Sequence, residues 1–141
     1  MGAIDTSTEL GARVDRRLRT ERTIWLATVD RAGAPRVRPV WFLWDGASFL
    51  LYSQPSAAKV EHIEANPHVC LHLDADEWGE SVVIVDGRAR LAPDHRRADE
   101  MPAFVEKYAW GFERFGFSAP AYGRDYSMPI LVTCESLNAY Y

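Results

Sequence analysis

Tyr52-Ser53-Gln54-Pro55-Ser56-Ala57-Ala58-Lys59 closes an apolar run, Ser48 to Tyr52, and opens a helical stretch, Ser56 to Ala65. A strand delivers a hydroxyl, a loop of small residues follows, and a lysine stands on the first helical turn. That order suits an anion, because free backbone N–H groups and the positive end of the helix dipole face the loop. Each residue also has a plainer reading. Ser56 serves as an ordinary N-cap, and Lys59 as a solvated surface charge. What favours the anion is the neighbourhood: Pro35-Arg36-Val37-Arg38-Pro39-Val40-Trp41-Phe42 before the stretch and Asn66-Pro67 after it.

Working outward, Thr23 to Asp30 is a strand rich in β-branched and aromatic residues, and Asp30-Arg31-Ala32-Gly33 is its turn. Arg36 to Trp44 reads as a second strand. Asp45-Gly46 turns it into the next, Ala47 to Tyr52. Pro39 cannot donate to a ladder, so it marks an edge or a bulge. His68 to Leu73 alternates, and Glu80 to Leu91 is a long strand with a bulge expected at Asp86-Gly87. Pro129 to Tyr140 is the last strand.

Helices fill the remainder. Thr6 to Arg22 carries Leu10, Val14 and Leu18 on one stripe, with Thr6 and Glu9 at capping-box spacing. Arg16, Arg17, Arg19 and Arg22 lie off that stripe and read as a solvated face. Asn66-Pro67 stops the short helix that holds Lys59. A helical stretch begins at Pro93-Asp94, is interrupted at Pro102 and continues to about Phe115. The sum is a mainly β chain with flanking helices, about six antiparallel strands in a closed or nearly closed barrel. It forms one domain, 1–141: a helix over 1–22, a barrel core over 23–92, and a helical segment with a final strand over 93–141.

The chain has 141 residues, enough for one core and too few for two. A net charge of −4 argues against a general nucleic-acid binder. No stretch has the length of a membrane span, and the first residues lack a basic-then-apolar signal pattern, so a cytoplasmic protein with two free thiols, Cys70 and Cys134, is expected.

Arg38 and Lys59 are the candidate anion ligands, one a fork and the other a point charge. Ser53 offers a hydroxyl, and N–H groups near Ser56 complete a cradle. Pro39-Val40-Trp41-Phe42 offers a flat apolar edge with free peptide groups. A planar ring attached to a phosphate suits such a place.

In the run from Thr23 to Leu91, Gly33-x-Pro35, Arg38 to Phe42, Tyr52-Ser53, Lys59, Asn66-Pro67 and Val82 to Leu91 around Gly87 follow one another in unbroken order. This run resembles the flavin-binding split-barrel family, the pyridoxamine-phosphate-oxidase-like group. Thr23 to Thr28 and Pro39 to Leu43 are most similar to the actinobacterial branch that uses the deazaflavin coenzyme F420. The resemblance implies a six-stranded split barrel of the FMN-binding type, working as a homodimer with two cofactor sites at the subunit interface. It implies that Arg38 and Lys59 hold the cofactor phosphate, that Ser53 and Gln54 lie near phosphate and ring, and that Val40, Trp41 and Phe42 run along the ring. Pro39, Ser56 and Val60 complete the expected cofactor-binding set.

F420 is the expected cofactor and FMN the alternative. Two features depart from true pyridoxamine-phosphate oxidases. Ala58 stands where they carry a second arginine, and Ser127 to Tyr141 has no counterpart of their substrate-phosphate motif. Both point away from vitamin B6 oxidation. In such enzymes the cofactor carries the hydride and the protein binds, orients and excludes water, so no dedicated acid–base pair is required.

Other constellations are weaker. His68, Cys70 and His72 share a strand face, but a zinc site needs further ligands, so surface or interface residues are the simpler reading. The chain has no G-x-S-x-G elbow, phosphate loop or G-x-G-x-x-G. Phe104, Tyr108, Trp110, Phe112, Phe115 and Phe117 either pack the core and a dimer contact or wall a substrate cleft. Trp78, in the polar turn Asp74 to Glu80, is a candidate to reach over a partner's cleft. Three functions remain open. One is hydride transfer from reduced F420 to a small unsaturated or quinone-like acceptor. The others are a flavin or deazaflavin carrier without turnover, and an FMN-dependent reductase.

Overall fold

Seven strands, β1 (Ile24–Val29), β2 (Pro35–Val40), β3 (Leu43–Trp44), β4 (Ser48–Ser53), β5 (His68–His72), β6 (Val82–Leu91) and β7 (Met128–Tyr140), form one antiparallel sheet. The computed structural model describes residues 4–141. The strand order is β2-β1-β5-β6-β7-β4-β3. Its two edges, β2 and β3, are consecutive pieces of the chain joined by Trp41 and Phe42 alone. Edges tied by so short a link must lie close together, so the sheet curls into a split-barrel-like shape with its seam at these two residues.

The expectation of six strands is corrected here, because Arg36 to Trp44 is not one strand. Its ladder to β1 ends at the Ile24↔Val40 pair, and the ladder to β4 begins at Leu43↔Leu50. Between them the backbone bonds to a helix instead. α3 (Pro102–Phe115) sends in Tyr108, whose hydroxyl accepts from the Phe42 N–H at 2.8 Å and lies 2.7 Å from the Arg22 carbonyl, which accepts from it. Lys107 Nζ donates to the Phe42 carbonyl at 2.8 Å. The N–H and carbonyl of Phe42, released from the ladder, are thereby satisfied, as buried backbone requires.

The barrel interior follows the two-residue period. Ile24, Leu26 and Thr28 of β1 point inward and are buried, as are Val69 and Leu71 of β5. Ile24, Leu26, Val69 and Leu71 meet Phe42, Phe49, Val83, Val85, Ile130 and Val132 in one cluster. The bulge expected in β6 is present between Asp86 and Gly87.

α1 runs Glu9–Thr20, shorter than the expected 6–22, and Thr8 rather than Thr6 is its cap: the Thr8 hydroxyl accepts from the Gly11 N–H at 2.9 Å. Val14 and Leu18 are buried. Arg17 does not belong to a solvated face. It pairs with Glu21 and donates to the carbonyls of Ser81 and Asp74 at 2.7 and 2.8 Å. α2 is Ala58–Ala65. It starts two residues later than expected, and its N-cap, Ala57, makes no side-chain hydrogen bond, so Ser56 does not cap it.

Pro102 is the first residue of α3 rather than an interruption, where its missing N–H costs nothing. A short 3-10 turn, Ala98–Glu100, precedes it. A fourth helix, α4 (Ala119–Asp125), falls outside the sequence expectation. Its start signals are present: Ser118 accepts from the Ala121 N–H at 3.2 Å, and Pro120 lies in the first turn.

α3 and α4 build a second, aromatic cluster from Phe104, Tyr108, Phe112 and Tyr122 against Leu50 and Tyr52 of β4. Trp41 enters it from the seam and stacks on Tyr108 with ring centroids 4.4 Å apart at 8°. Gly111 makes the room, since a Cβ there would lie 2.6 Å from the Trp41 ring.

Tyr108→Phe should leave the Phe42 N–H and the Arg22 carbonyl without that hydroxyl. The expected loss is about 1–3 kcal/mol of stability, read from the urea midpoint; an unchanged midpoint would show that the seam does not depend on it. Burial lowers the pKa of Lys107 from 10.5 to about 8. Between those values the unfolded chain holds a proton that the folded one does not, so this group's contribution to stability should rise with pH there. Lys107→Met should flatten that rise in denaturation curves taken across the alkaline range.

Candidate functional site

Lys59 stands on the first turn of α2, with Nζ 3.4 Å from the hydroxyl of Ser53, the last residue of β4. Ser53 is fully buried and donates to the Gln54 carbonyl at 2.9 Å. The lysine is part-buried. Its pKa is pulled below the usual lysine value, first by burial and then by the positive charge of Arg38. Arg38, exposed on the edge strand β2, is thus close enough for its charge to act on Lys59.

Among the described residues no carboxylate lies within ion-pair distance of either Arg38 or Lys59. The carboxylates nearby are otherwise engaged: Asp30 pairs with Arg36 at 3.1 Å and Glu61 with Arg31 at 3.2 Å. A part-buried cation beside another cation is unfavourable unless an anion joins them.

Next to this pair opens a cleft of about 420 Å³, lined by Thr23, Pro39, Val40, Trp41, Tyr52, Lys59, Phe115, Phe117, Tyr122 and Tyr126. Its walls are mostly aromatic. Trp41 is held between Tyr108 and Tyr122, the latter at 5.4 Å and 21°. Tyr122 stacks in turn on Tyr126 at 4.4 Å and 11°. Tyr52 is fixed by donating to the Arg96 carbonyl at 2.8 Å. Burial raises the pKa values of Tyr52 and Tyr122 well above the usual tyrosine value, so both stay neutral and protonated.

Of the residues named from sequence, Pro39, Val40, Trp41 and Lys59 line the cleft, Arg38 neighbours Lys59, and Ser53 lies within reach of it. Gln54 and Ser56 are exposed on the loop, while Val60 is buried. The Phe42 ring is fully buried in the barrel core and does not line the cleft. Trp78 is 78% exposed and also lies outside the lining.

The aromatic cluster divides between its two readings. Phe104, Tyr108 and Phe112 are buried packing, whereas Phe115 and Phe117 face the cleft. Thr23, Tyr52, Tyr122 and Tyr126 complete the lining without having been singled out as site residues. The four-residue spacing of Tyr122 and Tyr126 is a signal only once α4 is recognised.

His72 stacks on Trp25 with centroids 6.2 Å apart. No group of three His, Cys, Asp or Glu side chains is assembled as a metal site among the described residues.

Residues 10–126 match the family model described as pyridoxamine 5′-phosphate oxidase. The chain belongs to that family. It is 35% identical over 68 residues to general stress protein 26 of Bacillus subtilis (strain 168), an alignment spanning 47% of this chain and about half, 48%, of that protein. Among solved structures it resembles an F420 reductase at 22% identity and a TM-score of 0.65, covering 88% of this chain and 94% of the other. It resembles the haem storage protein HutZ of Vibrio cholerae equally well in shape, at 20% identity and a TM-score of 0.65, covering 94% and 96%. At such identities the likeness is one of fold, and a fold is not a function. No helix is long and apolar enough to cross a membrane among the described residues.

Sulfate, whose charge is constant across the alkaline range, probes the cation pair directly. Its affinity should fall as pH rises through the lowered pKa of Lys59, beginning below the ordinary lysine value of 10.5. Lys59→Ala should bind sulfate more weakly and show no such fall when titrated calorimetrically. An equal pH profile in both proteins would remove Lys59 from the site.

Proposed function

We propose that this protein is an oxidoreductase transferring a hydride from reduced coenzyme F420 to a small unsaturated or quinone-like acceptor. It works as a homodimer, with Arg38 and Lys59 holding the cofactor phosphate. The observation that carries this reading is the unpaired cation couple beside an aromatic cleft. The donor set suits a phosphate, and the neutral aromatic walls suit a planar ring. The volume suits a ligand of that class.

Support for F420 comes from the wording of Thr23 to Thr28 and Pro39 to Leu43 and from Ala58, which leaves fewer phosphate ligands than true pyridoxamine-phosphate oxidases carry. An F420 reductase among the fold's solved structures is consistent with it.

When bound in its reduced form, the deazaflavin supplies the hydride. The chain's own part is to bind, orient and dry the site. Arg38 and Lys59 anchor the anion, and the Ser53 hydroxyl neighbours Lys59. Pro39, Val40 and Trp41 offer one flank of the cleft, and Phe115, Phe117 and Tyr126 the aromatic surface that keeps water out. Trp41 is clamped in its stack and gives the cleft a rigid side, which lowers the entropy lost on binding.

Binding of purified protein to F420 and to FMN, side by side by fluorescence quenching, tests the reading. Tight binding of F420 that Lys59→Ala weakens by about 1.5–3 kcal/mol supports it. Preference for FMN would assign the protein to flavin-dependent reductases. Binding of F420 without turnover over a panel of quinones and enones would make it a carrier, and binding of neither would overturn the proposal.

A further inference from the structure

Lysine occurs at two positions, 59 and 107, against fourteen arginines. A guanidinium stays protonated in a protein, so among the side chains only these two are amine nucleophiles. Lys59 belongs to the cleft. Lys107 belongs to the seam, and the function proposed above does not use it.

Lys107 is part-buried among aromatic rings. Its Nζ lies 3.8 Å from the centroid of the Phe42 ring and 5.4 Å from that of Tyr108, and it donates to the Phe42 carbonyl at 2.8 Å. The carboxylate whose charge reaches it is that of Glu21, which is already paired with Arg17. Among the described residues no carboxylate forms an ion pair with Lys107. An amine enclosed in this way sheds its proton easily, and the neutral form is populated near pH 8. The neutral amine spends one N–H on the Phe42 carbonyl and keeps its lone pair. Desolvation by apolar neighbours is one of the ways in which a lysine becomes nucleophilic.

The hydrogen bonds around this amine form a two-position relay. The Tyr108 hydroxyl has one proton and two acceptors within reach, the Arg22 carbonyl at 2.7 Å and the Phe42 carbonyl at 3.1 Å. While Lys107 serves the Phe42 carbonyl, the shorter bond to Arg22 holds the proton. Once Lys107 withdraws, the carbonyl of the fully buried Phe42 needs another donor. The Tyr108 proton turns to it, and the hydroxyl oxygen still accepts from the Phe42 N–H at 2.8 Å. The Arg22 carbonyl then loses that donor. Arg22 adjoins Thr23, which lines the cleft.

We propose that Lys107 is an acylation site for acyl thioesters, and that its acylation is passed through the Tyr108 hydroxyl to the Arg22–Thr23 border of the cleft. The neutral Nζ attacks the thioester carbonyl. An N–C bond forms, the C–S bond breaks, and the proton released by the nitrogen leaves with the thiol. The rings of Phe42 and Tyr108 and the charge of Glu21 favour this uncharged reacting group over an anionic donor such as an acyl phosphate. Acylation removes the ammonium charge and with it the attraction to the Phe42 ring that holds the side chain over the seam. The inference stands whatever the cleft binds.

The uncharged thioester S-acetyl-N-acetylcysteamine is the probe. Folded protein is treated with it over about pH 7 to 10, and the acetylated positions are located by mass spectrometry of peptides. Near pH 8 Lys107 should react on the order of tenfold faster than N-acetyl-lysine amide, which keeps the ordinary lysine pKa. Its rate should level off once the amine is neutral, while that of the small amide goes on rising. Hydrogen exchange reads the second half. The acetylated protein and Lys107→Gln, whose side chain is an uncharged amide, should both exchange faster over residues 22–24 with the Phe42 N–H still protected. Lys107→Arg, which keeps the charge, should exchange as the parent does. In Tyr108→Phe the relay is already broken, so acetylation should add no further increase there. Circular dichroism confirms that each variant is folded. Lys107 reacting no faster than the small amide, or an acetylated protein whose 22–24 segment exchanges as before, would overturn the proposal. An increase that acetylation still produces in Tyr108→Phe would remove the relay. Acylation and relay that both hold while neither F420 nor FMN binds would sustain this inference and remove the function. Tight cofactor binding with an unreactive Lys107 would do the reverse.

Discussion

The structure depends on how the chain is held where it leaves the sheet. Trp41 and Phe42 are the two residues that connect one edge of the curled sheet to the other, and nothing in the ladder supports them. α3 supports them instead, through the Tyr108 hydroxyl and the Lys107 ammonium on the Phe42 peptide and through the stack of Trp41 on Tyr108. The two residues face opposite ways, as neighbours on an extended chain do. The Phe42 ring fills the barrel core, while Trp41 fills the aromatic cluster and borders the cleft. One short link thus closes the barrel, docks the C-terminal helices and shapes the candidate site.

The cleft brings together groups from distant parts of the chain. β2 contributes Pro39 and Val40, α2 contributes Lys59, and α4 contributes Tyr122. The positive charge of Arg38 and the burial of Lys59 both act against a protonated lysine, and a bound anion reverses the first of these effects.

Much of this was legible in the residues. The strands announced themselves by alternation and turns, the β6 bulge by Asp86-Gly87, and the neighbouring cations by a lysine at a helix start downstream of an arginine-bearing strand. Less legible was anything resting on a distant partner. Arg36 to Trp44 reads as one strand because no local property of Phe42 reveals that Tyr108, 66 residues later, takes its N–H. Arg17 reads as a surface charge because its partners, Asp74 and Ser81, lie far along the chain. The start of α2 shifted because its cap is a backbone feature of Ala57 and not the serine side chain next to it.

Sequence alone determined the mainly β antiparallel character, the order of most of its elements, and the cationic and aromatic residue types near the cleft. Periodicity, turn residues and helix-start chemistry are local, so they can be read from neighbours. Tertiary structure alone decided that the barrel splits at Trp41 and Phe42, and that Tyr52, Tyr122 and Tyr126 belong to the cleft. Each of these follows from contacts between segments far apart in the chain, whose energies depend on packing and burial that no local pattern encodes.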